Sequence, residues 1–183
     1  MAQTQHVISN PVIGHRITFL QTAEETNGEL LQVEYAVEQP EKKPKIPLHA
    51  HFRCEERFEV VEGTLGVVLD GAQQILACGE SVTIAPGIAH TFWNAGDGEM
   101  RFITDVRPPG GLQTYWETVF GLACDGKVNA NGMPNLLQLG VVAPLADSYD
   151  PRLSKVMSRA LIAVLGQIGR LWGYKARYPH YSD

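Results

Sequence analysis

From His15 to about Arg107 apolar and polar residues alternate in short runs divided by turn residues. "HRITFLQ" and "ELLQVEYAVE" read as strands, and in the second Leu31, Val33, Tyr35 and Val37 share one face. "RFEVVEG" and "TLGVVLD" follow, with Asp70-Gly71 as a tight hairpin turn. "QQILA", "SVTIAPG", "HTFWN" and "MRFITDV" complete the series. Strands at this spacing, with no helical period between them, predict a mainly β fold: an antiparallel barrel or jelly roll.

Beyond Pro108-Pro109-Gly110-Gly111 the period lengthens. Tyr115, Trp116, Val119, Phe120 and Ala123 fall at helical spacing over 112–124, and Thr114 with Glu117 has capping-box form. "LLQLGVV" fits a strand or a helix. Asp150-Pro151 reads as a helix start, and an apolar stripe from Leu153 to Trp172 predicts a helix over 151–172 that Gly173 ends. The expected organisation is a β-barrel over 1–108 and an α-helical C-terminal extension over 109–183, packed on the barrel or on a dimer partner.

Charge refines this picture. The chain of 183 residues carries a net charge of −5, which argues against a nucleic-acid partner. Residues 151–183 nevertheless hold six basic residues and one acid, whereas residues 1–150 hold nine basic residues and nineteen acids. A basic amphipathic helix has a membrane-surface reading, but its broad apolar stripe favours packing within a homodimer or on the barrel. Three widely spaced cysteines, Cys54, Cys78 and Cys124, argue against a disulfide framework. The first residues lack the pattern of a secretory signal, and no apolar run reaches bilayer length; the expected location is cytoplasmic.

The chemistry sits in "PLHAHFRCEERFEVVEG". Residues two apart on a strand share a face, so His49 and His51 can both point into a barrel. If Glu56 points inward, Phe58 and Val60 follow it, while Arg57, Glu59 and the competing acid Glu55 face out. In "PGIAHTFWN", His90, Phe92 and Asn94 share a face. His49, His51, Glu56 and His90 together would offer three imidazoles and one carboxylate to a divalent transition metal ion (Fe, Mn, Ni, Co, Cu or Zn), leaving open positions on it.

These two stretches resemble the motifs of the cupin superfamily. His49, His51, Glu56 and Gly63 match the first, with Lys43 where its leading glycine stands in the family. Gly79, Gly87, His90 and Asn94 match the second, with Ala85 in place of the usual proline and Pro86 shifted by one. The resemblance spans residues 15–107 and implies a metal held by His49, His51, Glu56 and His90. It implies a metal-dependent enzyme acting on a small oxygen-containing molecule: a dioxygenase-like oxidoreductase, with lyase or isomerase chemistry as variants. Glu56 would double as the catalytic base, and Phe58, Phe92 and Asn94 are candidates for the pocket. The alternative is a non-catalytic cupin module that binds a metal or a small ligand. His6, His15 and His180 lie outside both motifs and are expected on the surface.

Overall fold

The computed structural model describes residues 6–41 and 46–182. Lys43, at the place of the first motif's leading glycine, lies outside these residues. The described residues form eleven strands: β1 (Val7–Asn10), β2 (His15–Gln21), β3 (Leu31–Val37), β4 (Ala50–His51), β5 (Glu55–Glu62), β6 (Thr64–Leu69), β7 (Ala72–Ala77), β8 (Ser81–Ile84), β9 (His90–Asn94), β10 (Met100–Arg107) and β11 (Ser148–Tyr149). Among the described residues three α-helices follow β10: α1 (Leu112–Cys124), α2 (Leu136–Ala146) and α3 (Lys155–Leu171).

A six-stranded sheet has the order β1-β2-β3-β10-β5-β8, and a second sheet the order β7-β6-β9. All their pairings are antiparallel. The inward faces meet in one core that includes Ile17, Val33, Phe58, Leu65, Phe92 and Phe102. This is a jelly roll with an α-helical C-terminal extension. Period-two alternation explains the inward set: on β5, Glu56, Phe58 and Val60 are buried and Glu55 is exposed. Asp70 and Gly71 both take positive φ, 50° and 86°, as the two-residue hairpin between β6 and β7 requires.

The helices depart from the sequence reading at their starts. Helix α1 begins at Leu112 behind Gly111, which offers no side-chain cap, so Thr114 and Glu117 lie within the helix and form no capping box. "LLQLGVV" is helical, with the Asn135 side chain accepting from the backbone N–H groups of Leu137 and Gln138. Helix α3 starts at Lys155 and not after Asp150, because Ser154 caps it by accepting from Met157 N–H. Asp150 instead accepts from Arg152, at its backbone and its guanidinium.

Helix α3 also turns a different face inward than its apolar stripe suggests. Its buried residues are the small ones, Ser158, Gly166 and Gly169. A Cβ on Gly166 would stand 2.6 Å from Gly140 O, and one on Gly169 2.6 Å from Leu137 O, so α2 and α3 approach more closely than any larger residue allows. The large apolar residues Val156, Met157, Leu161, Val164 and Leu171 are consequently exposed. Two basic residues of this segment lie over aromatic rings, Lys155 over Tyr149 at 5.6 Å and Arg159 over Phe52 at 4.3 Å. No helix among the described residues is long and apolar enough to cross a membrane.

Candidate metal centre

Four chain segments bring the donors together. His49 precedes β4 and pairs through its backbone with His90 at the head of β9: His49 N–H donates to His90 O at 3.0 Å, and His90 N–H to His49 O at 2.7 Å. His51 lies on β4, and Glu56 enters from β5, where the alternation turns it inward. One ligand atom from each of His49, His51, Glu56 and His90 lies within 4.8 Å of the others. His51, Glu56 and His90 are buried, and His49 is partly exposed.

The three imidazoles share one hydrogen-bond arrangement. Nδ1 of His49 meets Pro47 O at 2.8 Å, Nδ1 of His51 meets Ala146 O at 2.8 Å, and Nδ1 of His90 meets Ile88 O at 3.0 Å. A carbonyl oxygen only accepts, so each Nδ1 carries the proton and each neutral ring keeps its Nε2 lone pair for the interior. Nε2 of His51 and of His90 are buried and have no hydrogen-bond partner. Glu56 Oε2 nevertheless stands 2.9 Å from His90 Nε2 and 3.6 Å from His51 Nε2. Lone pairs converging at such distances repel unless a proton or a cation lies among them, so the group can hold a metal ion.

The electrostatics of His49 and Glu56 agree with that arrangement. Burial, with His90 and His51 alongside, pushes His49 down to about 3, which keeps its imidazole neutral. Burial works to raise the Glu56 carboxyl, but His51 first and then His90 and His49 outweigh it and hold the group at about 2. Burial would lower His90, and the Glu56 carboxylate overrides it and raises the imidazole, so in the absence of a cation a proton between His90 Nε2 and Glu56 is favoured. Cys54, in the bend between His51 and Glu56, has its thiol pushed up to about 12, chiefly by burial and then by the charges of Glu56 and Asp147. It is an inert buried thiol.

The helical extension takes part in building the centre. Ala146, the last residue of α2, supplies the carbonyl that orients His51, and Asp147 takes a left-handed φ of 50° directly after it. Strand β11 then pairs with β4, placing Ser148 opposite His51 and Tyr149 opposite Ala50. Phe52 N–H donates to Asp147 O at 2.8 Å, and Arg53 pairs with the Asp147 carboxylate at 3.1 Å.

A cavity of about 320 Å³ opens from the four-donor group towards the helices. Phe58, Phe92 and Phe102 line it from the sheets, and Tyr115, Trp116 and Phe120 of α1 line it from above. Asn94 stays outside this wall. Its amide donates to Val37 O at 3.1 Å and Gly98 O at 2.7 Å, and its oxygen accepts from Gly96 N–H, so it ties the β9–β10 turn to β3. His15 departs from its expected surface position: it is 1% exposed, between Tyr35 and Glu41. His6 is partly buried near Glu117 and His180 is exposed.

The family model of the cupin domain matches residues 36–106, the segment from the end of β3 to β10 that contains all four donors. Residues 36–106 of this chain are a cupin domain. Among curated proteins the chain is similar to an oxidoreductase of Arthrobotrys oligospora, 29% identical over 161 residues, covering 80% of this chain and 62% of that protein. It thus spans less than two thirds of that relative's length. It is also similar to a protein of Hypocrea virens named as a probable oxidoreductase, 29% identical over 147 residues, covering 74% of this chain and 67% of that one. Among solved structures it is similar to an RmlC-like cupin from Shewanella frigidimarina, with a TM-score of 0.47, 24% identity, and coverage of 59% of this chain and 87% of that one. KdgF from Halomonas aligns with a TM-score of 0.45 and 18% identity, over 52% of this chain and 79% of that one.

Proposed function

We propose that this cupin is a metal-dependent oxidoreductase of dioxygenase type, acting on a small oxygen-containing molecule bound in the cavity beside the four-donor group. The observation that carries the reading is the convergence of three imidazoles, each held through Nδ1 by a backbone carbonyl, and one ionised carboxylate at the inner end of an aromatic-lined cavity. Neutral imidazoles with a single carboxylate suit Fe, Mn, Co, Ni, Cu or Zn, and suit Ca or Mg poorly. The oxidoreductase names of the two curated relatives favour redox chemistry over lyase or isomerase chemistry.

His49, His51 and His90 would hold the ion through Nε2 and Glu56 through a carboxylate oxygen. A transition metal bound there supplies open coordination positions, Lewis acidity and, where the ion is redox-active, electron transfer. The chain supplies the rest. Backbone carbonyls of Pro47, Ile88 and Ala146 fix the three rings. Glu56 contributes negative charge and is the carboxylate we assign to accept a proton from a bound hydroxyl. Phe58, Phe92 and Phe102 exclude bulk water from the inner end of the cavity.

The test is oxygen uptake by protein reconstituted with each candidate metal and offered a panel of hydroxylated aromatic and keto compounds. The proposal expects metal-dependent oxygen consumption that His51→Ala abolishes. Product formation without oxygen uptake would replace it with lyase or isomerase chemistry. Tight, metal-dependent binding of the panel without turnover would make the protein a binding module.

A further inference from the structure

The inner face of the six-stranded sheet carries a diagonal line of polar residues. On β5, Glu56 stands opposite Val106 of β10, and two residues further along each strand Phe58 stands opposite Thr104. On β10, Thr104 stands opposite Val33 of β3, and Phe102 opposite Tyr35. On β3, Tyr35 stands opposite Ile17 of β2, and Val37 opposite His15. Glu56, Thr104, Tyr35 and His15 are therefore diagonal neighbours on β5, β10, β3 and β2, one register step per strand. The inward positions around them (Val33, Val37, Phe58, Phe102 and Val106) are apolar. All four polar residues are at least nine-tenths buried.

Two of the four face the cavity away from the donor cluster. Thr104 lines it, is 2% exposed, and its Oγ1 has no hydrogen-bond partner. Tyr35 lines it as well, and its hydroxyl meets His15 Nδ1 at 2.9 Å. Behind it, His15 Nε2 meets Glu41 Oε1 at 3.2 Å. A carboxylate only accepts, so Nε2 carries the His15 proton, and Nδ1 of the neutral ring accepts from the Tyr35 hydroxyl. That leaves the Tyr35 oxygen with lone pairs to accept a second hydrogen bond, while the Thr104 hydroxyl is free to donate one. Burial, with the Glu41 charge and Tyr115 adding to it, raises the Tyr35 phenol well above its usual range, so it stays protonated. A buried hydroxyl without a partner costs stability, and its position in a ligand-sized cavity points to a partner that arrives with the ligand.

We infer that Thr104 and Tyr35 form a polar subsite that selects a hydroxyl group on an otherwise apolar, aromatic-sized substrate. The substrate hydroxyl donates to Tyr35 and accepts from Thr104, so an ether or a carbonyl satisfies half of the subsite. Aromatic side chains pack the body of the molecule. The assignment rests on the proposed metal reading solely in sending a second oxygen of the substrate to the four-donor group.

Phenol and toluene, matched in size and differing in the hydroxyl, are the probes, and their affinities for the full chain are measured by titration. Thr104→Val and Tyr35→Phe should each lower the phenol-to-toluene affinity ratio by about tenfold, and Thr104→Ser should hold it within about twofold of wild type. Tyr35→Phe leaves His15 Nδ1 without its partner, so Thr104→Val, close in shape, is the decisive variant, with thermal melting as the folding check. An unchanged ratio in Thr104→Val, or failure of either probe to occupy the cavity, overturns the inference. Neither probe chelates, so this result is independent of metal binding: metal content could fail its own test with the hydroxyl ratio intact, and the reverse.

Discussion

Thr104→Val should make the protein more stable while removing part of its binding surface. The Thr104 hydroxyl is buried on β10 between Phe58 and Val33, and Oγ1 has no partner. An unpaired buried hydroxyl costs about 1–3 kcal/mol, and valine removes that cost while keeping the β-branched shape and strand preference. Part of the gain is lost because the cavity beside Thr104 leaves the new methyl incompletely packed. The net expectation is stabilisation of about 1 kcal/mol, which for a chain of this size raises the melting temperature by roughly 2–4 °C. Urea unfolding followed by circular dichroism gives the free energy, and calorimetry gives the melting shift. A destabilisation of about 1 kcal/mol or more would refute the reasoning, because it would mean that the hydroxyl already has a partner in the ligand-free protein. A gain in stability together with a loss of hydroxyl preference is the signature of a residue kept for binding.

Two further outcomes follow from the same packing. Asn94→Ala removes three hydrogen bonds that tie the β9–β10 turn to β3, and should cost about 2–4 kcal/mol in chemical unfolding while leaving metal uptake in place; a loss below about 0.5 kcal/mol would contradict that structural role. Cys78 and Cys124 are exposed and Cys54 is buried, so a thiol reagent should label two cysteines in the native protein and the third after denaturation; rapid native labelling of Cys54 would mean that the bend before Glu56 opens readily.

The strand pattern made much of the centre legible beforehand. Alternation along β5 distinguished Glu56 from Glu55, because a one-residue slip would have turned Phe58 and Val60 to solvent as well. The same logic could have placed His15, since it shares the inward face of β2 with Ile17 and Phe19; its position outside the motifs concealed this. Thr104 shares its face with Phe102 and Val106 in the same way. Other features leave no such trace. The carbonyl that orients His51 belongs to the backbone of Ala146, ninety-five residues along the chain, and a backbone carbonyl has no residue type to read. For α3 the apolar stripe outweighed the small residues at 158, 166 and 169, yet closeness to Gly140 of α2 decided which face turned inward.

His49, His51, Glu56 and His90 are proposed to hold a transition metal ion. Elemental analysis of the purified protein, before and after reconstitution, tests this most directly. About one transition metal ion per chain is expected, with little or none retained by a His51→Ala, Glu56→Ala double variant that still folds. A wild-type protein that neither carries nor takes up a transition metal would contradict it, as would a double variant that binds the ion as tightly as wild type.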